Sequence, residues 1–115
     1  MLARLHIHNL ALIEPGMDFR EYMGRSWPIP ERFLANRYSC LLHGVGLADE
    51  YPGVYAPIDA GFFQEGRFQP GMVLCVESYV GEPGGNQGVK LEEQVLITAG
   101  GAVKLSSLPF ADELL

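Results

Sequence analysis

The residue whose setting is most indicative of chemistry is Glu77, because it interrupts an apolar run over residues 73–80. A lone carboxylate in a protein core is strongly unfavourable unless it is paired, protonated or bound to a metal ion. Two interpretations follow from this setting. Either Glu77 binds a metal or acts in catalysis, or the alternation of a strand turns it toward water or toward Lys90.

Two further residues could join Glu77 in a metal site. His43 follows the apolar run Cys40–Leu42 and precedes two nearby glycines, and a neutral imidazole is the commonest metal ligand, although a single core histidine is also often structural. Glu92 alternates with Lys90 and Gln94, a pattern that a solvated strand face also explains. One His and two Glu on separate strands match the three protein ligands of a catalytic metal site. These donors suit Mn, Fe, Co or Zn and include no thiolate.

The first third of the chain is predicted to be helical. Apolar residues at helical spacing predict a helix over residues 1–13, which Pro15-Gly16 ends. Asp18, with Glu21 three residues later, resembles a capping box and predicts a second helix. A short helical turn is expected over residues 31–34, after two prolines break the chain.

Strands are predicted for the rest of the chain. Four apolar runs separated by Gly and Pro predict strands over residues 38–47, 72–80, 89–98 and 103–105. A loop rich in Gly, Pro and aromatic residues, 49–68, separates the first two. This order predicts one α+β domain, with helices packed on one face of a mainly antiparallel sheet.

Composition excludes several classes of partner. The chain has 115 residues, a formal charge of -6 and eight Lys and Arg that are scattered singly. Nucleic acids and anionic membrane surfaces both require clustered basic residues, so neither is an expected partner. No leader segment or apolar run of membrane-spanning length is evident. Cys40 and Cys75 match no metal or redox spacing, so we expect two free thiols in a cytoplasmic protein.

Three motifs together resemble a known superfamily. They are His-Gly-Val-Gly at residues 43–46, Pro-Gly-Met-Val leading to Glu77, and residues 88–98, with Pro-Gly-Met-Asp-Phe at 15–19 in support. The pattern is similar to that of the creatinase, prolidase and methionine aminopeptidase superfamily, whose catalytic domain has the pita-bread fold. The resemblance implies that residues 1–115 form the carboxy-terminal part of that domain, truncated on its amino-terminal side.

The resemblance also implies a ligand set. It places His43, Glu77 and Glu92 at metal-ligand positions, which outweighs the solvated-face interpretation of Glu92. The superfamily's other two ligands are aspartates that precede the first helix seen here, and this chain has no Asp before Asp18. We therefore expect at most one well-liganded site for a divalent transition metal (Fe, Mn, Co or Zn). We also expect a homodimer or an association with a missing amino-terminal half, because half of a sheet leaves unpaired edges.

One departure from the peptidase pattern concerns Asp49. Peptidases of the superfamily usually have histidine there, in a His-Glu-x-Pro motif, whereas this chain has Asp-Glu-Tyr-Pro at residues 49–52. That substitution is similar to the dimethylsulfoniopropionate lyase branch. The implied reaction is an elimination in which Asp49 removes the α-proton of the substrate, giving dimethyl sulfide and acrylate. Trp27, Tyr51 and Tyr55 are predicted to bind the sulfonium through cation–π attraction.

Two other functions are consistent with the same residues. One is a Xaa-Pro aminopeptidase-like hydrolase of short peptides, against which Asp49 counts. The other is a non-catalytic remnant or partner subunit that needs the missing half supplied by another chain.

Overall fold

Two helices precede five strands, four of which the sequence predicts. A computed structural model describes residues 1–114. The helices are α1 (Leu2–Ala11) and α2 (Phe19–Arg25). The strands are β1 (Cys40–Gly44), β2 (Gly53–Tyr55), β3 (Val73–Gly81), β4 (Gly88–Thr98) and β5 (Gly101–Lys104). Short 3-10 helices cover Glu31–Asn36, Pro57–Phe62 and Asp112–Leu114. The α+β class is confirmed.

The five strands form one antiparallel sheet with the order β2-β1-β3-β4-β5. Its two central pairings fix the positions that matter for function. His43 is opposite Cys75 in the β1–β3 pair, and Glu77 is opposite Glu92 in the β3–β4 pair. Because side chains alternate along a strand, these four residues share one surface of the sheet, which we call the polar face.

The other surface of the sheet packs against the helices and contains the core. Phe68 lies at its centre, with its ring 5.1 Å from that of Phe19 and 5.4 Å from that of Tyr22. Leu74 and Val95 face each other across β3 and β4 and are buried in the same cluster. Because side chains alternate along β3, its core residues face the helices and its candidate functional residues lie on the polar face.

Local signals set the ends of the helices. The Asp18 side chain caps α2 by accepting a hydrogen bond of 2.7 Å from the backbone N–H of Glu21, as predicted. Gly16 adopts a φ of +90° in the turn between the helices, a conformation that suits glycine. No helix within residues 1–114 is long and apolar enough to cross a membrane.

The segment between β1 and β3 differs from its prediction as a plain loop. It contains β2, a strand of three residues that pairs with β1 and buries Val54 completely. The strand is too short for its alternation to be evident beside Pro52. β1 itself ends at Gly44, earlier than predicted, because the chain turns back and the Gly44 N–H donates to the carbonyl of Pro52.

Candidate metal-binding site

Three of the predicted site residues converge on the polar face. Glu77 on β3 and Glu92 on β4 are directly opposite each other, and His43 reaches them from β1. The Nε2 atom of His43 lies 3.6 Å from Oε1 of Glu77 and 3.7 Å from Oε1 of Glu92. The side chains come from three adjacent strands, which is the convergence that the sequence analysis predicts.

The orientation of the His43 ring leaves a nitrogen facing the carboxylates. Its Nδ1 lies 2.9 Å from the carbonyl oxygen of Gly44, to which it can donate only when protonated. In the neutral ring this leaves the Nε2 lone pair directed at two carboxylates. Imidazoles that bind metals are commonly oriented in this way, with the second nitrogen bonded to a carbonyl or carboxylate.

Lys90 lies between the two carboxylates. Its ammonium contacts Oε1 of Glu77 and lies 3.4 Å from Oε2 of Glu92. Partial burial opposes its charge, but the hydrogen bond and charge attraction of Glu77 raise the pKa of Lys90 above its usual value. One of the two interpretations from sequence is that Glu77 faces Lys90. The structure contains this ion pair, and it also contains the cluster of candidate ligands.

Cys75 is the member of this cluster that the sequence analysis did not identify. Its sulfur, a His43 ring nitrogen and a Glu92 carboxylate oxygen all lie within 4.8 Å of one another. Burial, followed by hydrogen bonding to Glu92, raises the pKa of Cys75 to about 11. A signal was available, because Cys75 lies two residues before Glu77 and alternation places both on one face. The expectation of a site without sulfur stays a prediction, because a thiol lies beside the candidate ligands.

The environment of Glu77 fits a divalent cation. The residue is only 2% exposed, and its Oε2 atom has no hydrogen-bond partner within residues 1–114. A buried carboxylate oxygen without a donor is costly, and a cation would satisfy it. The donors around it, an imidazole nitrogen and carboxylate oxygens, are those of transition-metal sites. The residues present therefore fit a metal ion.

Asp49 lies outside this cluster. It occupies an exposed turn after β1 with a φ of 57°, and its backbone N–H donates to the carbonyl of Gly46 at 3.0 Å. Within the described part of the chain its side chain makes no hydrogen bond or ion pair. The structure does not bring its carboxylate against the three candidate ligands.

The three aromatic residues predicted to bind substrate do not form one group. Trp27 packs edge-on against His8 of α1, with ring centres 5.6 Å apart. Tyr51 is exposed in the turn that crosses Gly44. Tyr55 alone of the three lines the cavity of about 530 Å³ beside β1.

That cavity contains residues that the sequence analysis missed. Tyr38 and Phe62 line it together with Tyr55, and Glu50 contributes a carboxylate. Tyr38 also connects the cavity to the cluster, because the Lys90 ammonium lies 4.7 Å from the centre of its ring. No local pattern predicts this grouping, since its members come from the segment before β1, a turn, β2 and a 3-10 helix.

A fixed ion pair forms one wall of the cavity. Arg37 donates two hydrogen bonds to Asp59, at 2.6 and 2.7 Å, and Ser39 donates to the same carboxylate. Hydrogen bonding from Arg37, then Ser39, lowers the pKa of Asp59 to about 2. The pair ties the 3-10 helix Pro57–Phe62 to the segment before β1, and so holds Phe62 at the cavity.

Comparison with known proteins identifies the family. The family model described as metallopeptidase family M24 matches residues 1–99. The chain belongs to metallopeptidase family M24. The predicted relationship to the creatinase and prolidase superfamily is thereby confirmed, and the name of the family places a metal ion in its chemistry.

Among curated M24-like relatives, the chain is 47% identical over 109 residues to dimethylsulfoniopropionate lyase DddP of Roseovarius nubinhibens. It is 39% identical over 109 residues to the protein of the same name from Roseobacter denitrificans. Each match covers 93% of this chain and 24% of the relative, so the chain spans about a quarter of the relatives' length.

Solved M24-like structures share the fold. Prolidase from Pyrococcus furiosus superposes with a TM-score of 0.72 and 26% identity, covering 95% of this chain and 31% of that one. Xaa-Pro dipeptidase from Bacillus anthracis superposes with a TM-score of 0.67 and 22% identity, covering 94% and 29%. The predicted fold, helices on a mainly antiparallel sheet as in the second half of the pita-bread domain, is confirmed.

Proposed function

We propose that this chain forms the metal-binding part of a lyase that cleaves dimethylsulfoniopropionate to dimethyl sulfide and acrylate. The observation that carries the proposal is the position of His43, whose Nε2 faces the opposed carboxylates of Glu77 and Glu92. The identity with two proteins named as this lyase supports the choice of reaction. In this proposal the chain is the carboxy-terminal part of the pita-bread domain.

His43, Glu77 and Glu92 would hold one divalent transition metal ion, Fe, Mn, Co or Zn. When bound, such an ion draws electron density from the substrate carboxylate and makes the adjacent C–H more acidic. Glu92 is the most exposed of the three, with 40% of its side chain accessible against 1% for Glu77. The substrate would therefore approach from the exposed side, where Glu92 lies, and Glu77 would bind the ion from the buried side.

Asp49 would act as the general base. A carboxylate can accept the α-proton of the substrate, and the electrons of that C–H bond then form the double bond of acrylate. The bond between the β-carbon and sulfur breaks, and its electron pair leaves with dimethyl sulfide. Asp49 lies in the exposed turn five residues beyond the end of β1, so this role requires that turn to approach the bound substrate.

The cavity beside β1 supports a cationic substrate. Tyr38, Tyr55 and Phe62 offer aromatic rings, and Glu50 adds a negative charge. A desolvated cation–π contact contributes up to ~2 kcal/mol, so several rings would favour a sulfonium over a neutral group. The Lys90 ammonium over the ring of Tyr38 illustrates that this ring already accepts a cation. Of the aromatics predicted from sequence, Tyr55 keeps this role, whereas Trp27 and Tyr51 lie outside the cavity.

The second candidate function is a Xaa-Pro peptidase of short peptides. Its support is the likeness to solved prolidases and a Xaa-Pro dipeptidase. Asp49 stands against it, because an acidic residue there would repel the developing negative charge of a tetrahedral intermediate. A third candidate is a partner subunit that is inactive until a second copy or another chain supplies further ligands.

The test is to load the chain with Fe, Mn, Co or Zn and to measure dimethyl sulfide release from dimethylsulfoniopropionate by headspace gas chromatography. The same samples are given a Xaa-Pro dipeptide. A parallel set contains a polypeptide covering the part of the Roseovarius nubinhibens relative that this chain does not match. We expect dimethyl sulfide in at least one set, lost in Asp49→Asn with metal binding retained.

Each other outcome selects a different function. Dipeptide hydrolysis without dimethyl sulfide would support the peptidase. Release only in the set with the added polypeptide would support the lyase reaction and show that this chain needs further ligands from another chain. Saturable metal binding with neither product in either set would contradict the lyase proposal. Asp49→His, which restores the peptidase residue, is the matched control for Asp49→Asn.

A further inference from the structure

A cysteine lies among the candidate metal ligands. Cys75 is opposite His43 in the β1–β3 register, and its sulfur lies within 4.8 Å of both a His43 nitrogen and a Glu92 oxygen. A second observation points independently to a ligand at the same place. Glu77, two residues along the same face of β3, has a side chain that is 1% exposed and an Oε2 atom with no hydrogen-bond partner in residues 1–114.

We propose that Cys75 is a sulfur ligand of the metal ion and that it biases the site toward softer cations such as Zn and Co over Mn. The inference rests on the proposed metal site, to which it adds a fourth donor. Thiolate ligands select softer ions, whereas carboxylate and water ligands suit Mn. A site with one nitrogen, one sulfur and two carboxylates therefore has a different preference from one with nitrogen and oxygen donors alone.

The separations of the donors suit one ion. Zn–S bonds are ~2.3 Å and Zn–N bonds ~2.0 Å, so tetrahedral donors lie ~3.5 Å apart. The His43–Glu77 and His43–Glu92 distances of 3.6 and 3.7 Å are close to that value, and the sulfur is within 4.8 Å of its two neighbours. Small side-chain movements would bring donors of His43, Cys75 and Glu92 to bonding distance of one ion, and the thiol proton would leave to solvent as the S–metal bond forms.

The sulfur is also oriented by β4. Gln94 is opposite Cys75, and its amide Nε2 lies 4.0 Å from the sulfur, to which it donates. His43, Cys75 and Gln94 thus form one row across three strands, with the sulfur in the middle. The sulfur of Cys40, the other buried thiol, donates to the carbonyl of Leu42 at 3.4 Å, and among the described residues it is not part of the group formed by His43, Cys75 and Glu92.

The chain contains a matched control for Cys75. It has two cysteines, and both are 7% exposed. Cobalt is the probe, because a Co–thiolate bond produces a charge-transfer absorption in the near ultraviolet that nitrogen and oxygen ligands do not. Wild type, Cys75→Ser, Cys75→Ala and Cys40→Ser are each titrated with Co(II), by absorption and by calorimetry, and then with Zn and Mn. Circular dichroism checks the fold.

We expect the band in wild type and in Cys40→Ser and its loss in both Cys75 variants. The Zn-to-Mn affinity ratio should fall at least ~10-fold in Cys75→Ser. If a Cys75 variant does not fold, Cys40→Ser still decides the question, because Cys75 is then the remaining thiol. Saturable Co binding without a band in wild type would overturn the sulfur ligand alone. Absence of saturable binding in calorimetry would overturn the metal site and the proposed function as well.

Discussion

Glu77 and Glu92 face each other directly across β3 and β4. Like charges in directly opposed positions destabilise a sheet, so this pair requires a cation between its carboxylates. In the structure that cation is the ammonium of Lys90. A metal ion held by His43 and both carboxylates would occupy the position of this ammonium. Substitutions of Glu77 and Lys90 therefore test the proposed site directly.

Replacing Glu77 should abolish metal binding. Glu77→Gln keeps the shape of the side chain but removes the charge of the most buried candidate ligand. Loss of an outer-shell partner typically weakens metal binding ~10- to 100-fold, and loss of a direct ligand should exceed that. Isothermal calorimetry with Zn and Co measures the change. Glu93→Gln is the matched control, since Glu93 is a buried carboxylate on the helix side of the same sheet. Equal loss in both variants would argue against a specific site.

Replacing Lys90 should destabilise the metal-free protein. Lys90→Met leaves Glu77 and Glu92 without a cation between them. The cost should lie between the ~1 kcal/mol of an exposed ion pair and the ~3–5 kcal/mol of a buried one, because Lys90 is partly exposed. Urea unfolding with and without saturating Zn measures it, and Zn should restore most of the lost stability.

Lys104→Met is the control for this prediction. Lys104 lies 2.8 Å from buried Glu93 and is as exposed as Lys90, with 40% of each side chain accessible. Its loss should also destabilise the protein, but Zn should stabilise Lys104→Met less than it stabilises Lys90→Met. If Zn stabilises both variants by the same amount, the ion does not bind between Glu77 and Glu92.

His6 should make the protein sensitive to mild acid. It is fully buried, and desolvation lowers its pKa from 6.5 to about 4, against the opposing attraction of Glu93. The unfolded chain therefore binds a proton between these pH values that the folded chain does not, so stability falls as pH decreases from about 6.5 to about 4. The loss should total ~3 kcal/mol.

Urea unfolding at several pH values checks the prediction. His6→Gln, which can keep a hydrogen bond to Ser78, should flatten the slope in that range. His8→Gln leaves His6 in place and should keep the slope of the wild type. If the stability of the wild type does not change between pH 6.5 and 4, His6 takes up its proton at the same pH in the folded and unfolded chains, which would contradict the prediction.

Gly44 should not tolerate a side chain. A Cβ there would clash with the carbonyl oxygen of Tyr51, which is backbone and cannot move independently. Gly44→Ala should therefore push the turn that contains Asp49 away from β1 and cost ~1–3 kcal/mol, as overpacking does. Gly46→Ala is the control, because nothing lies within 4 Å of its Cβ. Thermal unfolding of the two variants should differ clearly. Equal melting temperatures would mean that the turn rearranges freely.

Much of this architecture could be predicted from local pattern. Asp18 and Glu21 predict the start of α2, and alternation along β4 places Glu92 with Lys90 and opposite the core residues. These predictions succeed because capping and alternation depend only on near neighbours in the chain. β2 was missed for the same reason, since three residues after Pro52 carry too little periodicity and the strand depends on pairing with β1.

The sequence by itself determined that Glu77 is a carboxylate within an apolar strand and that the motifs around His43 and Glu92 belong to the M24 family. Only the tertiary structure decided which side chains meet. It placed Cys75 opposite His43, Lys90 between the carboxylates, and Tyr38 against a cavity that Trp27 does not reach. The physical reason is strand register, because a shift of one residue would turn every side chain to the opposite face, and register is fixed by packing across the whole sheet.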